Sequence, residues 1–178
     1  MPEAAHPAVQ LQRIQFTGGL LYDENGTLYR NVNPEEPTYV GPPSPDIDAE
    51  WEALIHDRYT PLTSSEAFSI GLESFSLPRK QSYWAGVDVF HSLHCINYVR
   101  MVLDLDYYGD RLDPLPIRRL HVDHLRQAVQ CSGDLTPVPE RWDNVSNMLY
   151  WDFEVPRTCR NFQALRSWQD KRVEQMMI

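Results

Sequence analysis

The 178-residue chain has no apolar run near the roughly 20 residues that a transmembrane helix needs. It has no long run of Lys and Arg either, and its formal net charge of −9 would repel the phosphates of a nucleic acid. A glycine-rich phosphate loop and a serine nucleophile elbow are also missing. These absences predict no membrane span and no nucleic-acid partner, and they offer no sign of P-loop or serine-nucleophile chemistry.

Cysteine is scarce, with only Cys95, Cys131 and Cys159 in the chain. Their spacing is not the paired CxxC of a zinc finger, and they permit three choices of a single disulfide with one thiol left over. The sequence does not choose among these pairings.

The length fits one domain with a sizeable core, because 42% of the residues are hydrophobic. We predict a mainly α fold with a small N-terminal β-hairpin, long irregular connectors and two histidine-bearing helices packed together. Within a single domain over 1–178, we expect a flexible start at 1–10, a hairpin at 11–32, a proline-rich connector at 33–45 and a helical core at 46–178.

Local signals place the first elements. Asn25-Gly26 accepts the positive φ angles of a tight hairpin turn, and the residues around it alternate in polarity. After the connector, Ser44 is a candidate N-cap with Pro45 at the first helical position. The face of this short helix is apolar, formed by Ile47, Trp51, Leu54 and Ile55.

Apolar residues at intervals of three and four predict a long helix over 87–108, with Gly109 as its stop. It follows a second connector over 60–82. We predict a third helix over 118–130 that ends at Ser132-Gly133, a fourth over 161–177, and a short strand over 150–155.

The two central helices each carry the sequence His-x-x-His, as His91 with His94 and His121 with His124. Residues three apart lie on one helix face, so two such helices packed together would present four nitrogen ligands to one ion. Imidazole suits copper, zinc, iron and nickel, and four nitrogens in a tetragonal arrangement favour Cu(II). These four histidines are the predicted metal ligands and catalytic residues.

Alternatives remain open for this region. The histidines can be ordinary hydrogen-bonded helix residues, or one can activate a cysteine as a nucleophile. Cys95 and Cys131 can each be a further ligand, a disulfide partner or a small buried hydrophobe. His6 and His56 are interpreted as ordinary surface or packing residues.

Other polar residues near the motifs are candidates for secondary roles. Arg126 and Gln127 can hold a substrate carboxylate or a carboxylate behind the ligands, or they can form a solvated face. Tyr98 can stack on a substrate or carry an electron near a redox metal, although most aromatics here are expected in the core. The acidic residues around the long helix are interpreted as solvated surface: Asp88, Asp104, Asp106, Asp110 and Asp113.

Several motifs, in order, resemble the UstYa-like proteins of fungal mycotoxin clusters. They are Gly41-Pro42-Pro43-Ser44-Pro45, Ile47 to Trp51, Val89 to Asn97 with the first histidine pair and Cys95, His121 to His124, Leu125-Arg126-Gln127, Cys131, Asp134 to Pro137, and Cys159 to Phe162. The resemblance covers roughly 37–170.

One departure from the family pattern stands out. Members usually place a cysteine and three further residues between the second histidine and the Leu-Arg-Gln triplet, whereas here Leu125 follows His124 directly. Four residues are about one helical turn, so the triplet remains on nearly the same side of the helix. The resemblance implies that any disulfide formed by the missing cysteine is changed.

The resemblance implies oxidative tailoring of ribosomal peptides or other secondary metabolites, with both histidine motifs required and copper suspected. Our first hypothesis is therefore a copper-dependent oxidase or oxidative cyclase. The alternatives are a non-redox cyclase or hydrolytic enzyme that uses the histidines as general acid and base, with zinc or no metal, and a non-catalytic partner subunit of a homologue.

A small-molecule or peptide substrate is expected, and a homodimer or a heterodimer with a homologue is possible. The family's usual N-terminal membrane anchor does not occur in this sequence. Two localisations follow: the lumen of the secretory pathway for a trimmed member, or the cytoplasm for a naturally soluble one.

Overall fold

The structure is a computed structural model that describes residues 3–71 and 83–176. These residues are mainly α-helical with short antiparallel strands, which confirms the predicted fold class. In chain order the elements are a 3-10 helix (Glu3–Ala8), β1 (Leu11–Gln15), β2 (Leu20–Tyr22), β3 (Leu28–Arg30), α1 (Pro45–Ile55), β4 (Tyr59–Leu62), α2 (Ser64–Ser69), β5 (Tyr83–Gly86), α3 (Asp88–Val102), α4 (Leu105–Tyr108), a second 3-10 helix (Gly109–Arg111), α5 (Leu115–Ser132), β6 (Glu140–Asp143), β7 (Met148–Trp151), β8 (Pro156–Arg160) and α6 (Phe162–Met176).

The chain divides into two compact units. The first, called the helical unit below, comprises Met1–Val9, Thr38–Gly133 and Phe162–Ile178, and the second, the strand unit, comprises Gln10–Pro37 and Asp134–Asn161. We expected a flexible start, but Glu3–Ala8 forms a 3-10 helix and Ala8 is buried. The single-domain interpretation stays a prediction.

The strand pairing differs in part from the expected hairpin. β2 and β3 pair across Asn25-Gly26, as predicted, and Gly26 has a φ of 77°. β1 does not join them: it pairs antiparallel with β8, with Leu11 opposite Arg160. Extending the hairpin back to Leu11 was therefore wrong, because the partner of β1 lies far along the chain and no local turn specifies it.

The start of α1 is as predicted. Ser44 is the N-cap, its hydroxyl accepts a hydrogen bond from the Ile47 amide at 3.3 Å, and Pro45 begins the helix. Ile47, Trp51 and Ile55 form a buried cluster against which Leu93 of α3 packs. This cluster holds α1 beside the helix that carries the first histidine pair.

The predicted long helix is broken. α3 ends at Val102, Leu103 is 79% exposed, and Asp104 leaves helical geometry with φ −126° and ψ 61° before α4 begins. The break brings Tyr108 back against α3, where its hydroxyl accepts a hydrogen bond from Arg100 at 2.7 Å and donates one to Asp48 at 2.9 Å. The hydrogen bonds among Arg100, Tyr108 and Asp48 thus stabilise a break in the chain, although the apolar spacing predicts one continuous helix.

α5 and α6 lie close to the positions predicted for the third and fourth helices. α5 ends at Ser132, and Gly133 follows in the left-handed conformation. The region from 46 onward is less purely helical than expected. β4 pairs with β5, and β6 pairs with β7, which overlaps the strand expected at 150–155. Within the second connector, a capping box at Thr63 and Glu66 starts α2, and residues 72–82 lie outside the described part.

Candidate functional site

The four motif histidines face one another across α3 and α5. Ring centroids of His91 and His124 are 4.5 Å apart, and those of His94 and His121 are 5.5 Å apart. The later residue of one motif meets the earlier residue of the other, so the two helices run antiparallel. Spacing of three along each helix therefore aligns two cross-helix histidine pairs on the facing surfaces.

The Cys95 thiol lies beside the cross-helix pair formed by His91 and His124. Possible ligand atoms of His91, Cys95 and His124 all lie within 4.8 Å of one another. The Cys95 sulfur is 3.7 Å from His91 Nε2, and Cys95 is fully buried. Cys95 sits four residues after His91, so one turn of α3 presents both side chains to the same point.

Two further α3 side chains contact the His124 ring. The Ser92 hydroxyl is 3.2 Å from His124 Nε2, and an Asp88 carboxylate oxygen is 3.3 Å from the same nitrogen. We interpreted Asp88 as solvated surface, and its side chain is indeed 71% exposed, but it also orients a site histidine. The available signal was its position one turn before His91.

The ring of Tyr98 contacts both rings of the cross-helix pair formed by His94 and His121. The Tyr98 centroid is 4.8 Å from that of His94 and 4.6 Å from that of His121. His121 is only 5% exposed, and its Nδ1 has no hydrogen-bond partner among the described residues. A buried nitrogen without a partner is costly, so this atom is a candidate position for a ligand.

The surroundings keep three of the imidazoles neutral at pH 7. Burial lowers the pKa of His94 to about 4, and the Arg58 guanidinium lowers it as well. Burial also lowers the pKa of His91 and that of His121. His124 lowers the pKa of His91 further. Neutral imidazole has the free lone pair that a metal ion requires.

Burial raises the pKa of the Cys95 thiol, so this group is protonated at neutral pH unless a cation stabilises the thiolate. Burial also raises the pKa of Tyr98, and the Asp113 carboxylate raises it further. Asp113, which we interpreted as solvated surface like Asp88, raises the pKa of Tyr98 and opposes the lowering of the pKa of His94 and His121.

The donor set fits a transition metal. Imidazole nitrogens and one sulfur are the ligands that copper and zinc prefer, and the orphaned His121 Nδ1 marks an unfilled bonding position. In the described residues the tight ligand group contains His91, Cys95 and His124, while His94 and His121 lie beside it.

Other predicted residues lie elsewhere. Arg126 and Gln127 are exposed and bond the Asp123 carboxylate at 2.8 Å each, which is the arrangement of a solvated helix face. The three cysteines are free thiols, with Cys131 exposed and Cys159 half-buried, so the structure contains none of the three possible disulfides.

A second group of potential ligands occurs at His56, Asp57 and Asp170. Arg166 already occupies Asp170 through contacts of 2.7 and 2.9 Å, so the carboxylate is neutralised by a guanidinium. His56 therefore remains best interpreted as a packing residue.

Together the fold and the site define a class of protein: a mainly α-helical chain with an antiparallel helix pair that presents four histidines and a cysteine. The chain belongs to the UstYa family, because the family model described as "Mycotoxin biosynthesis protein UstYa" matches residues 1–172. The resemblance predicted from the motifs is confirmed.

Curated relatives include fungal proteins named as oxidases. The chain is 34% identical to UstYa family oxidase phomYd of Diaporthe leptostromiformis, covering 93% of this chain and 60% of that protein. It is 27% identical to UstYa family oxidase aprY of Aspergillus flavus, covering 82% and 49% respectively. Oxidase ustYa of the same fungus is 34% identical over 56% of this chain and 46% of its own length.

The chain thus spans roughly half the length of these relatives, between 46% and 60%. No solved structure matches it. Among the described residues, no helix combines the length and the apolar character needed to cross a membrane.

Proposed function

We propose that this chain is a copper-dependent oxidase or oxidative cyclase that tailors a secondary metabolite, either a small molecule or a peptide. The observation that carries the proposal is the meeting of His91, Cys95 and His124, whose ligand atoms lie within 4.8 Å of one another, beside the His94–His121 pair. The oxidase names of the relatives support the same class of reaction.

His91, Cys95 and His124 would hold the metal, and copper bound there would supply one-electron redox chemistry with dioxygen. Ser92 and Asp88 contact the His124 ring and hold its orientation. His121, His94 and Tyr98 form the adjoining wall, and the free Nδ1 of His121 is available to a ligand or a substrate.

The acid-base alternative receives less support. A general acid at neutral pH needs a pKa near 7, whereas burial lowers the pKa of His94 to about 4 and also lowers that of His91 and His121. These imidazoles are suited to donate a lone pair rather than a proton.

The test is metal content and redox cycling of the purified protein. Copper would be counted by elemental analysis in the wild type, in a His91→Ala/His124→Ala variant and in a His94→Ala/His121→Ala variant. A His6→Ala/His56→Ala variant is the matched control, because it removes two histidines outside the motifs. Circular dichroism would verify that each variant is folded.

We expect stoichiometric copper in the wild type and the control, and loss of copper in the His91/His124 variant. The Cu(II) electron paramagnetic resonance signal should show nitrogen coupling, vanish with ascorbate and return in air. The proposal would be refuted by a wild type that binds no copper, or by copper that stays bound when all four motif histidines are replaced. A preference for zinc with no redox cycling would favour the non-redox alternative.

A further inference from the structure

Three side chains of α3 contact the ring of His124. Its Nε2 atom lies 3.3 Å from a carboxylate oxygen of Asp88 and 3.2 Å from the hydroxyl oxygen of Ser92. The ring of His91 stands edge-on to it, with centroids 4.5 Å apart and an interplanar angle of 72°. Because Asp88 and Ser92 are four residues apart on one helix, a single face of α3 presents both oxygens to the same nitrogen.

These two oxygens determine which nitrogen of His124 carries the proton. An ionised carboxylate has no hydrogen to donate, so the ring nitrogen that bonds Asp88 must be the N–H group. The hydroxyl oxygen of Ser92 can accept from the same N–H group. The neutral form of the His124 ring then has its proton on Nε2 and its free lone pair on Nδ1.

His91 offers its other nitrogen to the site. Its Nε2 atom lies 3.7 Å from the Cys95 sulfur, and possible ligand atoms of His91, Cys95 and His124 lie within 4.8 Å of one another. The Nε2 atom of His124 is occupied by Asp88 and Ser92, which leaves Nδ1 of that ring for an ion. The two histidines would therefore bind a metal through different nitrogens.

The contact with a carboxylate distinguishes His124 from the other motif histidines. In the part of the chain that the structure describes, none of the other three forms an ion pair with a carboxylate. A carboxylate that accepts the second N–H of a ligand histidine fixes its tautomer and makes the ligating nitrogen more basic. Asp88 also lies in the first turn of α3, where an acid complements the positive helix end without touching any histidine.

We infer that Asp88 and Ser92 are positioning residues that hold His124 with its proton on Nε2 and present Nδ1 to the metal. The inference rests on the proposed function for the presence of a metal. It adds the ligand atoms, which are Nε2 of His91, the sulfur of Cys95 and Nδ1 of His124. Asp88 and Ser92 act through the His124 ring and are not themselves ligands.

The first test is the tautomer of His124 in the metal-free protein. Two-bond nitrogen–proton correlation spectra of protein labelled with nitrogen-15 histidine would be recorded near pH 8, where a model histidine is neutral. A His124→Gln variant assigns the ring signals. The wild type is compared with Asp88→Ala/Ser92→Ala and Asp88→Asn/Ser92→Ala. Asp46→Ala is the matched control, because Asp46 is an exposed acid in the first turn of α1.

We expect His124 to be protonated on Nε2 in the wild type and in the control. The double alanine variant should contain both tautomers, because it lacks both acceptors for the Nε2 proton. Asp88→Asn/Ser92→Ala should retain the Nε2 tautomer, since the amide oxygen can still accept that proton. Thermal midpoints would verify the fold. A wild-type His124 protonated on Nδ1, or an unchanged tautomer in the folded double alanine variant, would overturn the inference.

The second test identifies the ligand atoms with cadmium-113, whose nuclear spin couples to a directly bonded nitrogen. We expect couplings to Nδ1 of His124 and to Nε2 of His91. The dissociation constant of cadmium should be about tenfold or more higher in the double alanine variant than in the wild type. A coupling to Nε2 of His124, or equal dissociation constants in the two proteins, would contradict the positioning role.

Copper uptake separates this inference from the proposed function. A chain that binds cadmium through Nδ1 of His124 but takes up no copper would refute the oxidase proposal and leave the positioning role standing. A chain that binds stoichiometric copper while its His124 is protonated on Nδ1 would do the reverse.

Discussion

His121 is a residue whose burial works against stability. It is 5% exposed, and the Nδ1 atom has no partner among the described residues. An unsatisfied buried polar atom costs about 1–3 kcal/mol of folding free energy. A ligand that accepts the lone pair of this nitrogen would recover that cost, so the residue links stability to function.

Replacing this imidazole with a hydrocarbon should therefore separate stability from binding. We expect His121→Leu to leave the free energy of unfolding of the metal-free chain unchanged or to raise it by about 1 kcal/mol. Copper should still bind through His91, Cys95 and His124 but more weakly, because the bonding position at His121 Nδ1 is lost. Urea unfolding measures the first effect and metal titration the second.

Phe90→Ala is the contrasting change, because Phe90 is fully buried against Phe162 with centroids 5.9 Å apart. It should lower the free energy of unfolding by about 3–5 kcal/mol. A loss of that size in His121→Leu would mean that the imidazole is well satisfied, contrary to our interpretation.

The ionisation of Asp48 makes the stability of the helical unit depend on pH. Burial raises the pKa of this carboxyl, but hydrogen bonds from Arg111, Arg100 and Tyr108 outweigh it and hold the pKa below its usual value. A lowered pKa means that folding favours the ionised form. The contribution is present above the ordinary pKa of an aspartate, about 4, and is lost as pH falls through the folded value.

We expect the free energy of unfolding to decline as pH falls below about 4. Asp48→Asn should be less stable at pH 7 by about 3 kcal/mol, because it leaves Arg100, which is 8% exposed, without its charge partner. Its pH profile should be flatter than that of the wild type. The exposed Asp46, two residues earlier, offers Asp46→Asn as a control, and an equal effect of the two changes would contradict the assignment.

At the scale of elements, the antiparallel pairing of α3 and α5 creates the site. His91 meets His124 and His94 meets His121 only in this orientation. The end of α5 is set by Gly133, whose φ of 49° is left-handed and whose amide bonds the Val129 carbonyl. This is the usual glycine termination of a helix.

Gly133→Ala should lower the free energy of unfolding by about 1 kcal/mol, since a side chain disfavours the left-handed conformation. Gly109→Ala is the matched control, because Gly109 has a helical φ of −50° and no atom within 4 Å of an added Cβ. That change should be neutral or stabilising by about 0.5 kcal/mol. Thermal unfolding of both variants checks the pair, and equal effects would contradict the role given to Gly133.

At the scale of the whole molecule, all four motif histidines and Cys95 belong to the helical unit. A metal that binds only the folded chain stabilises it by about 2.7 kcal/mol at a free concentration of 100 times its dissociation constant. We expect copper to raise the thermal midpoint of the wild type and of His6→Ala/His56→Ala, but not of a variant that lacks all four motif histidines.

Hydrogen exchange should locate this effect. Amides of α3 and α5 should gain the most protection on addition of copper. Protection that appears mainly in β1 and β8 of the strand unit would place the metal elsewhere and contradict the proposed site.

Local chemistry was enough to predict much of the fold and of the site. Ser44 and Pro45 mark the start of α1, Gly133 marks the end of α5, and the hairpin at Asn25-Gly26 forms, because each depends on residues close in sequence. The two histidine motifs likewise identified the site helices, since a spacing of three already places two imidazoles on one helix face.

Only the tertiary structure decided the remaining features. The pairing of β1 with β8 and the break between α3 and α4 depend on contacts between residues distant in sequence. Such contacts are specified by the summed packing of the whole chain, so no local pattern contains them. The sequence by itself determined which imidazoles share a helix face, and the antiparallel packing of two helices decided which of them meet.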